Sequence, residues 1–299
     1  MVLTSYTQQP MQARALLLVN RNARRGQNDL SGAIAQLREA GFDLIEPPNS
    51  DPQSLSETIR RYAKQVDLVI IGGGDGTLNA AIEGLLDTQL PLGILPLGTA
   101  NDLARTLGIS TTLSDACEVI KSGRSERIDL GWVNGKHFFN VASLGLSVKI
   151  TQQLSREIKR RWGVLAYAIA ACQVLLKSVP FTAEIHANGE SIRVRTVQIA
   201  IGNGRYYGGG MTVAADAAID DQRLDLYSLE IKHWWQMVAL LPNMRSGTHS
   251  SWSFVRSIAS QEIELTTHRR YSINTDGELT TSTPARFRVI PKALVVLVP

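Results

Sequence analysis

The sequence predicts a two-part chain, an α/β domain built on a parallel sheet followed by a mainly antiparallel β-sandwich domain with helical inserts. Three observations predict it. Up to about Arg124, short wholly apolar runs alternate with stretches of helical spacing; beyond it, strand-like segments follow one another; and Asn-Gly pairs, the signal of tight hairpins, separate several of those segments. At roughly 150 residues per domain, 299 residues suit two domains.

Taken in order, Ala15 to Val19 is an apolar run that ends in a polar loop, Asn20 to Gln27, and Leu30 to Glu39 follows with Ile34 and Leu37 on one helical face. Gly41 ends that helix. A short strand, Asp43 to Glu46, runs into Pro47 and Pro48, and Asp51-Pro52 opens a second helix to Lys64, as a cap followed by a first-turn proline. Val66 to Ile71 is again wholly apolar. A glycine loop leads to a helix from about Asn79 to Leu86, then come a strand at Leu92 to Leu95, a turn at Pro96 to Thr99 and a helix around Leu103 to Leu107. Strands without polar alternation are buried on both faces, which implies a parallel sheet covered by helices.

Past Arg124 the predicted strands are Arg127 to Val133, His137 to Val141, Ala183 to Ala187, Arg193 to Ile201, Arg223 to Leu229, Glu262 to Thr266, Tyr271 to Asn274 and Ala285 to Val289. Helical inserts are expected at Gln153 to Lys177 and Trp234 to Met244. The expected division is a polar tail at 1–12, the α/β domain at 13–125 and the sandwich domain at 126–299, with the last run, Ala293 to Val298, fitting either domain.

Composition excludes several classes. Hydrophobic residues at 44%, charged residues at 19% and a mean hydropathy of -0.04 describe a globular protein rather than a disordered or collagenous one. Two cysteines, Cys117 and Cys172, make no disulfide framework and fit a reducing cytoplasm, and no Cys/His cluster suggests zinc. The first dozen residues lack the apolar stretch of a secretory signal. No run reaches the ~18 apolar residues of a membrane span. A net charge of +4 favours anionic partners in general but names none, and no nucleic-acid motif accompanies it.

The most informative stretch is Gly72-Gly73-Gly74-Asp75-Gly76-Thr77-Leu78-Asn79, between a buried strand and a helix. Its glycines let the backbone approach a ligand closely, and the free N–H groups of a helix start favour phosphate. An acid beside a triphosphate is repelled unless it holds a cation or handles a proton, so Asp75 suggests Mg²⁺ or general-base chemistry. A tight strand-to-helix turn with an Asp-type turn residue has the same spacing. Neither a Walker lysine nor a Gly-x-Gly-x-x-Gly fingerprint is present. A second loop, Leu95-Pro96-Leu97-Gly98-Thr99-Ala100-Asn101-Asp102, leaves the next strand; in a parallel sheet both loops emerge at the carboxyl ends, where ligands bind. Thr99 suits a phosphate or ribose, while Asn101 and Asp102 suit either a helix cap or the site.

Together the two loops resemble the diacylglycerol kinase catalytic family, in particular the bacterial soluble lipid kinases of the YegS type. Gly202-Asn203-Gly204-Arg205 with Gly208-Gly209-Gly210 resembles that family's second glycine-rich element, and Asp276-Gly277-Glu278 its C-terminal acidic motif. The resemblance implies an NAD-kinase-like α/β nucleotide-binding domain, a β-sandwich domain and ATP held between them. It puts ATP on Asn20, on Gly73, Gly74, Asp75, Gly76, Thr77, Leu78, Asn79 and Ala80, and on Thr99. It places catalysis on Asp75 and on Asp276 or Glu278, with Glu278 the commonly designated proton acceptor. It implies a structural Mg²⁺, or Ca²⁺, on Asp221 with the carbonyls of Ala218 and Arg223. The sequence departs from the family's pattern at Ala80, where Glu is frequent, at Arg21, where Pro is usual, and at Gln222, where Gly follows the metal Asp. Asn49 and Ser50 are weak counterparts of a threonine that contacts nucleotide in the family.

The implied reaction transfers the γ-phosphate of ATP to a lipid hydroxyl, on diacylglycerol, phosphatidylglycerol or a sphingoid lipid, with Arg24 or Arg25 near the phosphates. A soluble metabolite kinase of the NAD kinase type shares the Gly-Gly-Asp-Gly-Thr loop, and a nucleotide- or lipid-binding protein without turnover fits the departures at Ala80 and Arg21. Leu154, Ile158, Leu165, Ile169, Cys172 and Leu176 form a helical stripe preceded by Arg156, Lys159, Arg160, Arg161 and Trp162. That pattern suits a helix packed on the sandwich or an element lying on an anionic membrane surface, at the inner face of the membrane. His233-Trp234-Trp235 has the same ambiguity.

Overall fold

The computed structural model describes residues 13–20, 27–47, 54–148, 179–214, 216–231, 236 and 252–299. Outside them lie the tail 1–12, the arginines Arg21, Arg24 and Arg25, Asn49 and Ser50, the Asp51-Pro52 helix start, the whole insert 153–177, and all of 233–244 except Gln236.

The first lobe follows from its apolar runs. β1 (Arg14–Val19), α1 (Gln27–Glu39), β2 (Asp43–Ile45), α2 (Leu55–Tyr62), β3 (Leu68–Gly73), α3 (Asp75–Thr88) and β4 (Leu92–Pro96) alternate along the chain, and the strands pair in parallel in the order β2-β1-β3-β4. β3 and β4 are buried at every residue, because helices cover both faces of the sheet. α4 (Asp102–Thr106) and α5 (Leu113–Ser122) complete the lobe. α5 was not among the helices expected from the sequence, although Ala116, Cys117 and Ile120 form a buried face at helical spacing and Gly123 ends it at φ +67.

The second lobe is a sandwich. One layer holds β5 (Ser125–Val133), β6 (Lys136–Phe138), β8 (Phe181–Ala187), β9 (Glu190–Thr196), β15 (Glu262–Thr267) and β18 (Ala285–Leu297). The other is antiparallel, in the order β14 (Val255–Ser260), β13 (Leu224–Leu229), β10 (Gln198–Gly202), β7 (Val141–Gly145), β16 (Ser272–Thr275), β17 (Glu278–Ser282). β11 (Tyr206–Tyr207) and β12 (Met211–Thr212) form a small hairpin. Phe138, Leu144, Ile185, Ile201, Leu226, Ile263, Ile273 and Phe287 fill the space between the layers.

Four expected runs are redrawn. His137 to Val141 is not one strand: Phe139 and Asn140 carry the chain from β6 in one layer to β7 in the other. Arg193 to Ile201 likewise breaks at Val197, with β9 and β10 in different layers. Conversely, Ala285 to Val289 and the run from Ala293 as far as Leu297 belong to one 13-residue strand, β18, whose register with β5 shifts between Ile290 and Leu294, with Lys292 at φ +50. That bulge accommodates Pro291 within a strand.

β18 joins the lobes. Its first half pairs with β15, and its end lies parallel to β4 through Val296 and Leu92, so the two lobes share one 10-stranded sheet. Ala293, Leu294, Val296 and Leu297 belong to the first lobe's core. β5 runs antiparallel to β18 along the same seam, with Ile128 and Leu130 in the first core and Val133 in the second.

Candidate active site

Both glycine loops leave the sheet at the carboxyl ends of β3 and β4, and their backbones touch. A Cβ on Gly74 would stand 2.9 Å from the Gly98 Cα, and one on Gly98 would stand 2.5 Å from the Gly74 Cα. No side chain fits either position. α3 begins immediately after Gly74, so Asp75 to Asn79 form the first turn of a helix rather than an extended loop, and Thr77 and Leu78 are its first N–H donors, both to the Gly74 carbonyl. The N–H groups before them stand at a helix start beside the Gly74–Gly98 contact, in the arrangement that receives phosphate.

The expected ATP residues divide by where their side chains point. Leu78 is in the first core and Thr77 is buried, its hydroxyl accepting a hydrogen bond from Asn20 Nδ2 at 3.2 Å. Asn20 also donates its N–H to the Gly72 carbonyl, which ties the end of β1 to the glycine run. Ala80 is exposed, and its carbonyl accepts from Ser56 Oγ at 2.8 Å. Thr99 is exposed at the tip of the second loop, where Asn101 closes the turn by accepting the Gly98 N–H at 2.9 Å and donating to the Gly98 carbonyl at 3.1 Å. Asn101 holds φ +49, a conformation that asparagine tolerates better than most residues.

Three carboxylates meet around these loops, and each is committed to backbone N–H groups. Asp75 Oδ1 accepts from Leu103 N at 3.1 Å, supplying from α3 the cap that α4 lacks at its own Asn101. Asp102 reaches across to the second lobe, accepting from Gly209 and Gly210 N–H at 3.0 to 3.1 Å. Its choice between cap and site resolves as a bridge between lobes. Asp276 sits with Gly277 at the tip of the β16–β17 hairpin, both at positive φ as a two-residue Asp-Gly turn requires. Although its backbone lies at the surface of that turn, its carboxylate is enclosed. It accepts from Phe139 N at 2.7 Å, from Asn140 and Val141 N at 3.0 Å, and from Asn79 Nδ2 at 3.3 Å.

Burial raises the pKa of all three acids against the pull of those N–H groups, and the Asp75 charge pushes its two neighbours further. Asp102 is pushed up to about 6 and Asp276 up to about 7. Glu278 differs. It is exposed, its carboxylate makes no hydrogen bond or ion pair among the described residues, and its Oε1 lies 3.7 Å from where a Cβ of Gly76 would stand. The one unengaged carboxylate of the Asp276-Gly277-Glu278 turn therefore faces the first turn of α3.

The second glycine element holds this hairpin in place. Asn203 and Gly204 donate their N–H groups to the Asn140 carbonyl, and Asn203 Nδ2 bonds the carbonyls of Asp129 and Phe139. A Cβ on Gly204 would meet Asn140 Oδ1 at 2.8 Å. Asn140 and Asp129 were not singled out from the sequence, yet both organise the seam. Asp129, 1% exposed, accepts from Gln222 N at 2.6 Å and from Lys292 N at 2.7 Å. Its signal was present as a lone acid within the apolar strand Ile128 to Val133.

In the expected metal set the Asp221 side chain is engaged by the chain itself. Among the described residues no group of three or more His, Cys, Asp or Glu is placed to hold a metal ion. Asp221 accepts N–H groups from Ala218 and from Arg223, each at 3.2 Å, and the Arg223 guanidinium lies 3.2 Å from its Oδ2. The one carboxylate of the expected set therefore already faces a cation that the chain itself supplies.

Comparison with known proteins agrees with this architecture. The family model of the diacylglycerol kinase catalytic domain matches residues 14–133, and that of the YegS C-terminal NAD kinase beta sandwich-like domain matches residues 140–298. A protein of Yersinia enterocolitica named probable lipid kinase YegS-like is 32% identical over 289 residues, covering 95% of this chain and 96% of the relative. A Mycobacterium tuberculosis diacylglycerol kinase is 31% identical over 278 residues, covering 90% and 89%. The crystal structure of a diacylglycerol kinase from Bacillus anthracis superposes with a TM-score of 0.81 at 23% identity, covering 97% of this chain and 99% of that one; it shows the shared fold. No helix among the described residues is long and apolar enough to cross a membrane.

Proposed function

Because the chain belongs to the diacylglycerol kinase catalytic family of lipid kinases, carrying both the catalytic and the YegS-type second domain, we propose that it transfers the γ-phosphate of ATP to the hydroxyl of a diacylglycerol-like lipid, with Glu278 as proton acceptor. The observation that carries this reading is the meeting of three elements: the Gly74–Gly98 backbone contact, the start of α3, and the unengaged Glu278 carboxylate beside Gly76.

The triphosphate lies along the start of α3, where backbone N–H groups neutralise it without side chains intervening. Asp75 is the residue of this chain that would hold a magnesium ion carried in with the nucleotide, and that ion would offset the phosphate charge. The lipid oxygen attacks the γ-phosphorus in line as the bond to the β–γ bridging oxygen breaks, and ADP leaves with that oxygen. The proton of the lipid hydroxyl passes to Glu278. Asp276 acts by position: it pins the hairpin that carries Glu278 to Phe139, Asn140 and Val141, and reaches Asn79 on α3.

Purified protein incubated with labelled ATP, Mg²⁺ and mixed micelles containing diacylglycerol, phosphatidylglycerol or a sphingoid base tests this reading. Label is expected in phosphatidic acid from diacylglycerol. Label in another lipid would reassign the acceptor, and label in no lipid, with nucleotide bound, would sink the reading. The acceptor lies in a bilayer, so the reaction takes place against a membrane surface. The basic stretch Arg156 to Arg161, proposed to meet anionic headgroups there, lies outside the described residues.

A further inference from the structure

The loop between β12 and β13 concentrates charge that phosphoryl transfer does not use. Arg223 stands among three aspartates: Nη2 is 2.8 Å from Asp216 Oδ2, and Nε is 3.2 Å from Asp221 Oδ2 and 3.5 Å from Asp225 Oδ1. Asp225 is nearly buried in β13 opposite Gly202, while Asp216 lies at the surface. One guanidinium therefore spans a line of acids from solvent to strand. A planar, always-charged fork suits such a position better than a flexible ammonium would.

This loop also fastens the lobes together. Ile219 belongs to the first lobe's core, its carbonyl accepts the Asp129 N–H at 2.8 Å, and the Gln222 N–H bonds Asp129 Oδ2. Through its other oxygen Asp129 holds Lys292 at the β18 bulge. Gln222 reaches this pairing at φ +59. The loop must therefore hold one shape while three carboxylates, two of its own and Asp225 of β13, repel one another.

We propose that the Arg223 guanidinium is the resident cation of this corner, taking the place of the divalent ion expected on Ala218, Asp221 and Arg223, so that the interlobe loop keeps its shape without metal. The Asp221 carboxylate does not serve both cations at once. The Asp221 oxygens accept N–H groups from Ala218 and Arg223. A divalent ion bound to the same carboxylate, at about 2.0–2.6 Å, would sit against the guanidinium already placed there, two cations crowding one oxygen.

Thermal unfolding of the nucleotide-free protein tests the proposal, since without a triphosphate the reaction's own metal has no partner. The Tm is expected to be the same in excess EDTA as after addition of excess Mg²⁺ or Ca²⁺. The variant R223M is expected to lose about 3–5 °C in EDTA and to regain part of it with either ion, because the aspartates are then left without their cation. A native Tm that falls on chelation and recovers with Mg²⁺ or Ca²⁺ would overturn the proposal, as would an R223M Tm equal to the native one. Should R223M fail to fold, R223K, which keeps the charge and loses the fork, is expected to unfold below the native protein at a Tm insensitive to metal; a metal-dependent Tm in R223K counts against it.

Discussion

Two carboxylates stand on one hairpin, and their surroundings assign them different chemistry. Asp276 is enclosed by the Phe139, Asn140 and Val141 N–H groups, whereas Glu278 is open beside Gly76. On the proposed mechanism Glu278→Gln removes a base that nothing else in the fold depends on. Lipid phosphorylation by the purified variant should fall about 10²–10⁴-fold with an unchanged Tm. Asp276→Asn should instead lower the Tm as well, since an amide group presents only one acceptor oxygen to three backbone donors. A variant E278Q with native turnover would remove Glu278 from the mechanism. The glycines separate in the same way. Gly74→Ala or Gly98→Ala forces two backbones apart and should cost about 1–3 kcal/mol in a denaturant titration, together with ATP affinity. Gly76→Ala meets only Glu278 and should fold normally. These residues were legible in the sequence because a Gly-Gly-Asp-Gly-Thr run has few physical uses. Which acid of Asp276 and Glu278 is free was not legible, because it depends on Phe139 to Val141, which are far away in the chain and meet the hairpin only through the fold.

At the scale of elements, the short helix α4 behaves as a linking piece. Its start is capped by Asp75 from α3, and its Asp102 holds the Gly208 to Gly210 turn of the other lobe. Burial, with the Asp75 charge adding to it, lifts Asp102 to about 6 from an ordinary value near 4. A carboxyl whose folded-state pKa is raised binds its proton more tightly in the folded state. Its contribution to stability is therefore complete below about pH 4 and is lost as the pH rises through about 6. Asp276, lifted to about 7, adds a slope of the same sign over a wider window. The unfolding free energy is expected to fall between pH 4 and 7, with Asp102 supplying about 2–3 kcal/mol of that fall. In Asp102→Asn, whose side-chain oxygen still accepts the Gly209 and Gly210 N–H groups, urea titrations across this range should show a flatter slope. An unaltered slope would mean that Asp102 is ionised throughout. Sequence spacing pointed to Asp102 as either a cap or a site residue. The actual role, a contact more than a hundred positions along the chain, leaves no local pattern.

The whole molecule is held by a seam that sequence periodicity divides wrongly. Pro291 and Lys292 interrupt the apolar pattern between Val289 and Ala293, so the run after them reads as a separate strand. The bulge at Lys292 carries one strand through, and that strand enters both cores. Elements governed by local pattern, such as β1, β3 and β4, lie where the apolar runs placed them. Of the misread ones, those at Phe139 to Asn140, Val197 and Lys292 are places where the chain changes layer or lobe, a matter of tertiary packing. The shared sheet has a thermodynamic consequence. Leu294, Val296, Leu297 and Val298 are nearly or wholly buried, and at about 1.5–3 kcal/mol each they represent a large part of the ~5–15 kcal/mol that stabilises a folded domain. Removing residues 293–299 also strips β4 of its neighbour and leaves an open, apolar sheet edge. The truncated chain is therefore expected to lose the α/β lobe, although the deletion lies at the far end of the sequence, and to aggregate or unfold by far-UV circular dichroism. For the intact chain the same seam predicts one unfolding transition, coincident by circular dichroism and by tryptophan fluorescence. Two resolved transitions, or a truncated chain that keeps a folded first lobe, would show that β18 docks against the α/β lobe without holding it together.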